Sequence, residues 1–354
     1  MSQAFRDLLR KVGSGAHTSK HLTRAEAAEA TRLMLTQTAT PAQIGAFMIS
    51  HRIKRPTGEE LAGMLDAYNE LGPTLDGGDR SVLLLNSPYD GRSRTAPVRV
   101  IVALMLAAAD CPVVMHGGDR MPTKYGIPLV DLWAGLGVDW RSLDLSHTQR
   151  VFDQTGIGVL YQPKHFPLAE GLVTYRDEIG KRPPFATVEL MWSPVTVSAG
   201  GQTQLAMGFV HPPTEHMAKT ALQLHETRRF ITVKGLEGSC DLPRDRTAII
   251  GIHDVAADPP VQRLLLHPRD YGLDGTDVPL DEATILDQLR SVMDGQPSEL
   301  MRSVVWNGGF YLWQAGACES FEDSLDRAQT VLKNGAIAQQ LTQLQTAVDS
   351  TVTV

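Results

Sequence analysis

The sequence predicts an α/β protein with a small N-terminal helical domain and a large α/β domain whose sheet is mainly parallel. Three successive helices open with the same capping motif within residues 22–68, and short apolar runs alternate with helical stretches from residue 80 onward. The length of 354 residues, which exceeds one ordinary domain, agrees with this division. The predicted parts are a helical domain at residues 1–72, on which helices from about 156–182 pack, an α/β domain at 80–340 and a frayed tail at 341–354.

Each helix of the N-terminal domain is predicted to begin with a capping box, in which a hydroxyl and a side chain three residues later satisfy backbone N–H groups. The three pairs are Thr23 with Glu26, Thr40 with Gln43, and Thr57 with Glu60. Pro41 takes the first helical position of the second helix, where its missing N–H costs nothing. Apolar residues at spacings of about three or four then predict one buried face for each helix. Residues 1–12 also fit an amphipathic helix.

The α/β domain is predicted from alternating strand-like and helix-like segments. Residues 81–85 form an apolar strand-like run, residues 98–109 fit a buried helix, and residues 111–115 fit the next strand. The later predicted segments are strands at 156–161, 228–233 and 247–252, a helix at 217–225, a surface loop at 254–279, and helices at 282–293, 299–316, 320–334 and from 336. Because ligands bind at the carboxyl ends of parallel strands, we expect the site to begin at Asn86 and His116.

Composition limits the location and the partners of the chain. Hydrophobic residues make up 42% of it, yet no apolar run approaches the roughly 18 residues of a membrane helix, and the N-terminus has no signal-peptide core. We therefore expect a cytoplasmic protein without membrane contact. Three widely separated cysteines without CxxC spacing suggest neither a disulfide framework nor a zinc site. The formal net charge of −7 argues mildly against nucleic acid as a partner.

Four segments of the sequence resemble one known family. They are ATPAQIGAFMISHRIK at 39–54, TGEELAGMLDAY at 57–68, HGGDRMPTKYGIPLVDLWAGLGV at 116–138 and GIGVLYQPKHFPLAEGLVTYRDEIG at 156–180. The likeness is to anthranilate phosphoribosyltransferases and their pyrimidine nucleoside phosphorylase relatives, and it covers nearly the whole chain. The resemblance implies a fold of the nucleoside phosphorylase/phosphoribosyltransferase type, a homodimer formed through the helical domain, and a phosphorylated ligand between the two domains.

The loop after the first strand departs from the pattern of this family. Members that use phosphoribosyl pyrophosphate carry the sequence GTGGDG there, and its small residues let backbone N–H groups close on the pyrophosphate. Residues 86–91 read NSPYDG, so that only the last two positions are kept. Pro88 has no N–H to donate and Tyr89 adds a large ring. The Asn-x-Ser-Thr motif of the family falls on residues 96–99, which read APVR.

The metal motif of the family is also altered. Family enzymes use an adjacent Asp-Glu pair, because two carboxylates can hold Mg²⁺ while the pyrophosphate supplies the remaining ligands. By register, Cys240 replaces the Asp and Asp241 replaces the Glu. Asp241 or Glu237 could still hold a hydrated Mg²⁺ ion weakly, so the resemblance leaves a magnesium cofactor possible but doubtful.

Basic residues follow the altered loop. Arg92, Arg94 and Arg99, with Arg120 and Lys124 from the second turn, would converge near the same strand ends. Arginine binds phosphate with two parallel hydrogen bonds and needs no glycine cradle, so one hypothesis is a rebuilt phosphate site. The alternative is a solvated surface on which these side chains pair with neighbouring aspartates. The predicted ligand-contacting residues are Asn86, Ser87, Asp90, Gly91, Arg92, Arg94, Arg99, His116, Gly117, Arg120 and Lys124.

The resemblance also suggests residues for an acceptor molecule. Arg176 takes the register of the family arginine that holds the acceptor carboxylate, and His165 lies in the acceptor-contact segment. Either residue could instead be structural. No arrangement of side chains in the sequence identifies a catalytic nucleophile.

Four functions remain open at this point. The first is a divergent family member that binds a phosphorylated ligand and for which standard anthranilate phosphoribosyl transfer is doubtful. The second is a non-catalytic member that binds single-stranded DNA or RNA through basic grooves. The third is a pentosyltransferase with a different acceptor. The fourth is a scaffold or regulatory protein that binds a protein partner.

Overall fold

The structure is a computed structural model that describes residues 3–15 and 17–352. It confirms the predicted fold class, since a small N-terminal helical domain precedes a large α/β domain with a mostly parallel sheet. The helices are α1 (Gln3–Val12), α2 (Arg24–Leu35), α3 (Pro41–Lys54), α4 (Gly58–Leu71), α5 (Arg99–Ala107), α6 (Leu129–Gly135), α7 (Leu145–Thr155), α8 (Gln162–His165), α9 (Pro167–Glu170), α10 (Val173–Glu178), α11 (Phe185–Met191), α12 (Pro212–Leu224), α13 (Ile285–Met293), α14 (Glu299–Gln314), α15 (Phe321–Lys333) and α16 (Ala336–Val352).

Helices α1 to α4 form the helical domain, and all three predicted capping boxes are present. In each box the threonine hydroxyl accepts the N–H three residues later, and the Glu or Gln side chain accepts the N–H of the threonine. Within the domain, α2 packs along α4 and α1 packs along α3. Helices from the following part of the chain extend this packing, because α10 contacts α3 while α11 and α12 contact α4.

A seven-stranded sheet forms the centre of the α/β domain. The strands are β1 (Leu75–Asp76), β2 (Ser81–Leu85), β3 (Val113–Gly117), β4 (Ile157–Tyr161), β5 (Val195–Thr196), β6 (Gln202–Gly208), β7 (Arg229–Val233), β8 (Ala248–Asp254) and β9 (Val261–Leu266). The order in the large sheet is β4-β3-β2-β6-β7-β8-β9. The first five of these strands are parallel, whereas β8 runs antiparallel to β7 and β9. β1 and β5 form a separate parallel pair.

The chain changes direction across the sheet at β2. From β2 it continues to β3 and β4 on one side, and it returns later to β6 and β7 on the other side. The loops that leave β2 and β6 therefore diverge, which opens a crevice at the carboxyl ends of these two strands. In open α/β sheets such a crevice is the preferred place for a ligand.

Two hydrophobic clusters cover the two faces of the sheet. Successive side chains of a strand point to opposite faces. Val82 and Leu84 of β2 join the cluster that contains the helical domain, whereas Leu83 and Leu85 join the cluster formed with the C-terminal helices. Tyr68 of α4 belongs to the first cluster. The helical domain is thus attached to the sheet through a continuous apolar core.

One strand was not predicted, and two predictions about the secondary-structure elements were wrong. Strand β6 was missed, although it lies in the middle of the sheet. The segment 254–279 is not only a surface loop, because it contains strand β9. The predicted frayed tail belongs to α16 as far as Val352, and it buries Leu344, Ala347 and Val348. Residues 353–354 of that tail, and residues 1–2 of the predicted N-terminal helix, lie outside the described residues.

Among residues 3–15 and 17–352, no helix combines the length and the apolar character that a membrane crossing needs.

A buried carboxylate fixes the turn between α3 and α4. The side chain of Glu60 is fully buried and accepts hydrogen bonds from the backbone N–H of Leu22 at 2.9 Å and of Thr57 at 2.8 Å. Lys54 Nζ donates to it at 2.7 Å, and His51 Nε2 lies at 3.4 Å. Burial acts to raise the pKa of Glu60, but His51, Leu22 N–H and Lys54 outweigh it and lower the pKa. The ionised carboxylate is therefore the form that holds this turn in place.

We predict that Glu60→Gln destabilises the protein by about 3–5 kcal/mol at pH 7, because it leaves Lys54 without its buried partner. Since the folded-state pKa of Glu60 lies below the unfolded value of about 4.5, this stabilisation is complete above that value and is lost as the pH falls below it. Urea denaturation of both proteins at pH 7 and at pH 3.5–4.5 measures the difference. Glu59→Gln, at the exposed neighbouring position, is the control. A difference in stability that stays constant down to low pH would contradict the prediction.

Candidate functional site

The candidate site lies at the carboxyl ends of the parallel strands, where the predicted residues were expected to meet. Asn86, directly after β2, donates through Nδ2 to the carbonyl oxygens of Leu190 at 3.1 Å and Trp192 at 2.8 Å. Its side chain thus ties the end of β2 to α11. The Ser87 hydroxyl is buried and has no hydrogen-bond partner among the described residues.

Aromatic groups fill the space beside the end of β3. Tyr89 is buried, and its hydroxyl is hydrogen-bonded to His116 Nδ1. The other ring nitrogen of His116, Nε2, lies 3.2 Å from the carbonyl oxygen of Trp192, so it carries the proton while Nδ1 accepts from the tyrosine. Burial lowers the pKa of His116 to about 3. His116 is therefore neutral at pH 7 and both of its nitrogens are engaged within the protein. Gly117 follows at the end of β3, where an added Cβ would meet no atom within 4 Å.

The loop after β2 approaches the loop after β3 at a glycine. Gly91 has a φ of 77°, which side chains disfavour, and a Cβ there would lie 2.5 Å from the Gly126 carbonyl oxygen. Because of this close approach, the Arg92 backbone pairs with Ile127. The glycine thus places Arg92 deep between the two loops.

Arg92 forms a buried ion-pair cluster with both predicted metal ligands. Its side chain is 1% exposed, Nη1 donates to Asp241 Oδ2 at 2.7 Å, and Nε donates to Glu237 Oε1 at 3.2 Å. Nη1 also donates to Ser239 Oγ at 2.9 Å. On the far side, Arg99 Nε lies 3.6 Å from Asp241 Oδ1. The guanidinium groups of Arg92 and Arg99 therefore balance the negative charges of the two carboxylates.

The Glu237 carboxylate also accepts hydrogen bonds from the backbone N–H groups of three consecutive residues. It accepts hydrogen bonds from the N–H groups of Ser93 at 3.2 Å, Arg94 at 3.0 Å and Thr95 at 3.0 Å. Consecutive N–H groups of this kind form an anion-binding concavity. Burial acts to raise the pKa of Glu237, but the charge of Arg92 and these N–H groups outweigh it, so the pKa is lowered. An internal carboxylate thus fills the anion position of this loop.

These contacts disfavour a magnesium site that uses both carboxylates. A metal ligand needs a free carboxylate oxygen. Both oxygens of Glu237 and Oδ2 of Asp241 accept hydrogen bonds within the protein, whereas the buried Asp241 Oδ1 has no hydrogen-bond partner among the described residues. Residues 3–15 and 17–352 contain no group of three or more His, Cys, Asp or Glu side chains that could hold a metal ion. Glu237 and Asp241 were expected to hold a metal ion weakly. In this structure they form a buried cluster in which Arg92 balances their negative charges.

Of the other predicted guanidinium groups, one lies beside the cluster and one apart from it. Arg94 is 77% exposed, and its Nε lies 3.8 Å from Glu237 Oε2. Arg120 pairs with Glu282 at 2.6 Å and with Asp131 at 3.3 Å. The structure therefore brings three of the predicted guanidinium groups together around Glu237 and Asp241, whereas Arg120 pairs with other carboxylates.

Lys124 stays close to the buried cluster. Its Nζ donates to the Gly91 carbonyl oxygen at 3.0 Å and lies 3.5 Å from Glu237 Oε2 and 3.9 Å from Asp90 Oδ1. Burial is the main cause that lowers its pKa. Asp90 itself accepts from Arg182 Nε at 2.7 Å.

The two residues suggested for an acceptor are engaged within the protein. Arg176 is buried and forms an ion pair with the buried Glu189, and its Nη1 lies 3.2 Å from Met121 Sδ. Burial lowers the pKa of Arg176. His165 accepts the Tyr161 N–H through Nδ1 at 3.0 Å, and its Nε2 lies 3.0 Å from a backbone carbonyl. Both side chains thus have hydrogen-bond partners within the protein.

A cleft of about 330 Å³ opens nearby at the carboxyl ends of β2 and β6. Its floor is mainly apolar, with Pro88, Phe209 and Leu190 among its members. Arg52 and Arg55 from the end of α3 contribute exposed guanidinium groups to its lining. These two arginines were not among the predicted site residues, although they lie in the basic run HRIKRP at 51–56, because basic residues at the end of a helix are also common where there is no site.

A hydrogen bond from a side chain to the backbone connects the two parts of the basic rim of the cleft. Arg52 Nη1 donates to the Arg182 carbonyl oxygen at 2.9 Å, which links the helical domain to the loop that carries a third arginine of the rim. Arg55 follows α3 with a φ of 66°, a conformation that side chains seldom adopt and that is frequent at functional sites. The cleft thus combines an apolar floor with cations from both domains.

This fold and this site define a class: two-domain α/β proteins in which a helical domain covers the ligand edge of a parallel sheet. A model of the glycosyl transferase family helical bundle domain matches residues 6–72, and a model of the glycosyl transferase family a/b domain matches residues 91–338. The chain therefore belongs to this glycosyl transferase family, which includes the anthranilate phosphoribosyltransferases.

Individual proteins support the same assignment. The anthranilate phosphoribosyltransferase of Azorhizobium caulinodans is 29% identical over 357 residues, covering 98% of this chain and 97% of that protein. The structure of the Thermus thermophilus enzyme has a TM-score of 0.77 at 18% identity and covers 98% of this chain and 100% of that one. The Saccharomyces cerevisiae enzyme in complex with PRPP (phosphoribosyl pyrophosphate) and Mg has a TM-score of 0.81 at 14% identity, with 99% of each chain covered.

We predict that Arg92→Ala destabilises the protein by about 3–5 kcal/mol, because two buried carboxylates lose their main cation. Arg94→Ala, two residues away and exposed, is the matched control and should change stability by no more than about 0.5 kcal/mol. Chemical denaturation at pH 7 measures both effects. Equal stability of the two variants would show that the Arg92 cluster does not carry the charge compensation described above.

Proposed function

We propose that the protein binds a phosphorylated small molecule in the cleft between the helical domain and the sheet, and that it does not transfer a phosphoribosyl group to anthranilate with Mg²⁺. The observation that carries this proposal is the Arg92 cluster, in which Arg92 pairs with Asp241, the one carboxylate kept at the register of the metal motif, and with the neighbouring Glu237. Cations remain available elsewhere, on the rim of the cleft.

The rim suits a phosphate group. Arginine presents several donors in a fixed plane and binds phosphate with paired hydrogen bonds. Arg52 and Arg55 are exposed to solvent, and Arg182 shares its guanidinium with Asp90. Three cations opposed by one carboxylate favour an anionic ligand. The volume of about 330 Å³ lies within the usual range of small-molecule pockets, roughly 300–1,000 Å³, and the apolar floor would contact the rest of the ligand.

The chemistry of magnesium-assisted transfer is disfavoured by two features. The yeast relative was determined with PRPP and Mg, and a metal of that kind neutralises the diphosphate. In this chain Asp241, at the register of the family Glu, and the nearby Glu237 both accept hydrogen bonds from Arg92. In addition, the Tyr89 ring is buried against His116, at a place where the family loop carries glycine. Pentosyl transfer to a different acceptor would need a way to neutralise the leaving diphosphate without this metal site.

Single-stranded nucleic acid is the second candidate. The specific observation in its favour is that the rim arginines are exposed on an open cleft, which a sugar-phosphate backbone could follow. The net charge of −7 disfavours it, because attraction to a polyanion would have to be local. The two candidates differ in salt dependence, since binding to several phosphates weakens steeply with salt.

The proposal predicts that pyrophosphate and PRPP raise the melting temperature equally with and without Mg²⁺. The double variant Arg52→Ala/Arg55→Ala should bind pyrophosphate at least tenfold more weakly, which corresponds to about 1.4 kcal/mol or more. A thermal-shift titration measures this change by mass action. Arg150→Ala, an exposed arginine on α7 outside the cleft, is the control.

A second assay separates binding from transfer. Incubation with anthranilate, PRPP and Mg²⁺ should consume anthranilate no faster than a sample without protein, as followed by anthranilate fluorescence. Consumption that requires Mg²⁺ would contradict the proposed function. Tight binding of a single-stranded oligonucleotide that weakens steeply with salt, without stabilisation by pyrophosphate, would favour the second candidate instead.

A further inference from the structure

A second cavity lies at the amino ends of the parallel strands, on the edge of the sheet opposite the cleft. Its volume is about 490 Å³, and it is enclosed by the starts of β2 and β6 and by the ends of α5, α7 and α14. Side-chain amides dominate its polar lining. They come from Gln154, Gln202, Gln204, Gln314, Gln340 and Gln343.

One of these amides is buried without a partner. Gln204 of β6 is 5% exposed and pairs in register with Leu83 of β2, and both residues line the cavity. Its Nε2 atom has no hydrogen-bond partner among the described residues. A buried donor left unpaired costs about 1–3 kcal/mol, so such a group calls for an explanation. A ligand that accepts a hydrogen bond inside the cavity would supply the missing partner.

The cavity is close to electrically neutral. Arg80 Nη2 forms an ion pair with Asp153 Oδ1 at 2.8 Å, and Arg229 Nε forms one with Asp254 Oδ2 at 3.0 Å. Both lining arginines therefore have a carboxylate partner, and the exposed Asp110 adds a negative charge at the rim. A phosphate group would find no surplus cation among the described residues of this lining. The charges favour an uncharged ligand.

The amides and the walls favour a flat, hydrogen-bonding ring. A glutamine amide presents a donor and an acceptor side by side, which match the N6 and N7 edge of adenine in a two-point contact. Leu83, Ala107 and Pro112 provide apolar surface for the faces of a ring. Gln340 Nε2 already donates to the Thr155 carbonyl oxygen at 2.8 Å, but the exposed amides of Gln154 and Gln343 can hydrogen-bond to sugar hydroxyls. The volume is sufficient for a base and its sugar.

We infer that this cavity is a second ligand site, which binds an uncharged purine nucleoside through Gln204. The site is independent of the phosphate cleft, because the two lie at opposite ends of the strands and have no lining residue in common.

Isothermal titration of the full-length protein with adenosine, guanosine and glucose tests this inference. The expected result is binding of a purine nucleoside and no binding of glucose. Gln204→Leu should weaken nucleoside binding at least tenfold. Gln339→Leu, an exposed glutamine of α16 outside the cavity, should leave it unchanged.

The far-ultraviolet circular dichroism spectrum and a cooperative thermal melt provide the folding control for Gln204→Leu. If that variant does not fold, Gln343→Leu on the exposed rim replaces it and should also weaken binding. The inference is overturned if neither nucleoside binds up to millimolar concentration, if glucose binds as well as adenosine, or if the folded Gln204 variant binds as tightly as the parent. These outcomes do not depend on whether the cleft binds phosphate.

Discussion

Compensation of buried charge is the constraint on which the ligand edge of this protein depends. Glu237 and Asp241 lie below the surface between two loops, and ionised carboxylates are stable there only with a cation or with N–H donors close by. Arg92 supplies the cation to both, and the backbone of residues 93–95 supplies further donors to Glu237. The cluster therefore fixes the loop after β2 against the turn after β7 without a ligand.

Because these charges are compensated within the protein, fewer groups at the carboxyl ends of the strands are left to bind a ligand. Several groups nearest the strand ends have partners within the protein, as the pair of Tyr89 with His116 illustrates, whereas the buried Ser87 hydroxyl has none among the described residues. Further exposed cations lie on the rim of the cleft, where Arg52 and Arg55 extend from the helical domain. The Glu60 network holds the turn that carries these arginines, so the stability of the helical domain and the shape of the cleft are linked.

Local signals predicted the helical domain well, whereas the candidate site depends on contacts between distant residues. Capping boxes involve residues three apart, and buried strands such as 81–85 are continuous apolar runs, so both are visible in one sequence. Strand β6 was missed because its first half is polar, and Gln204 points into a cavity that the sequence does not reveal. The pairing of Arg92 with Glu237 spans 145 positions, and no local pattern indicates it. The end of α16 was predictable, since Gln340, Leu344 and Ala347 recur at helical spacing.

We infer that guanidinium groups of the protein take the place of a metal beside Asp241. The most direct measurement is a crystal structure of the protein grown with Mn²⁺ and pyrophosphate, with anomalous diffraction used to locate the metal. We expect no manganese within coordination distance of Asp241 or Glu237, and we expect Arg92 to be hydrogen-bonded to both. A manganese ion coordinated by Asp241, with the Arg92 side chain displaced, would contradict it.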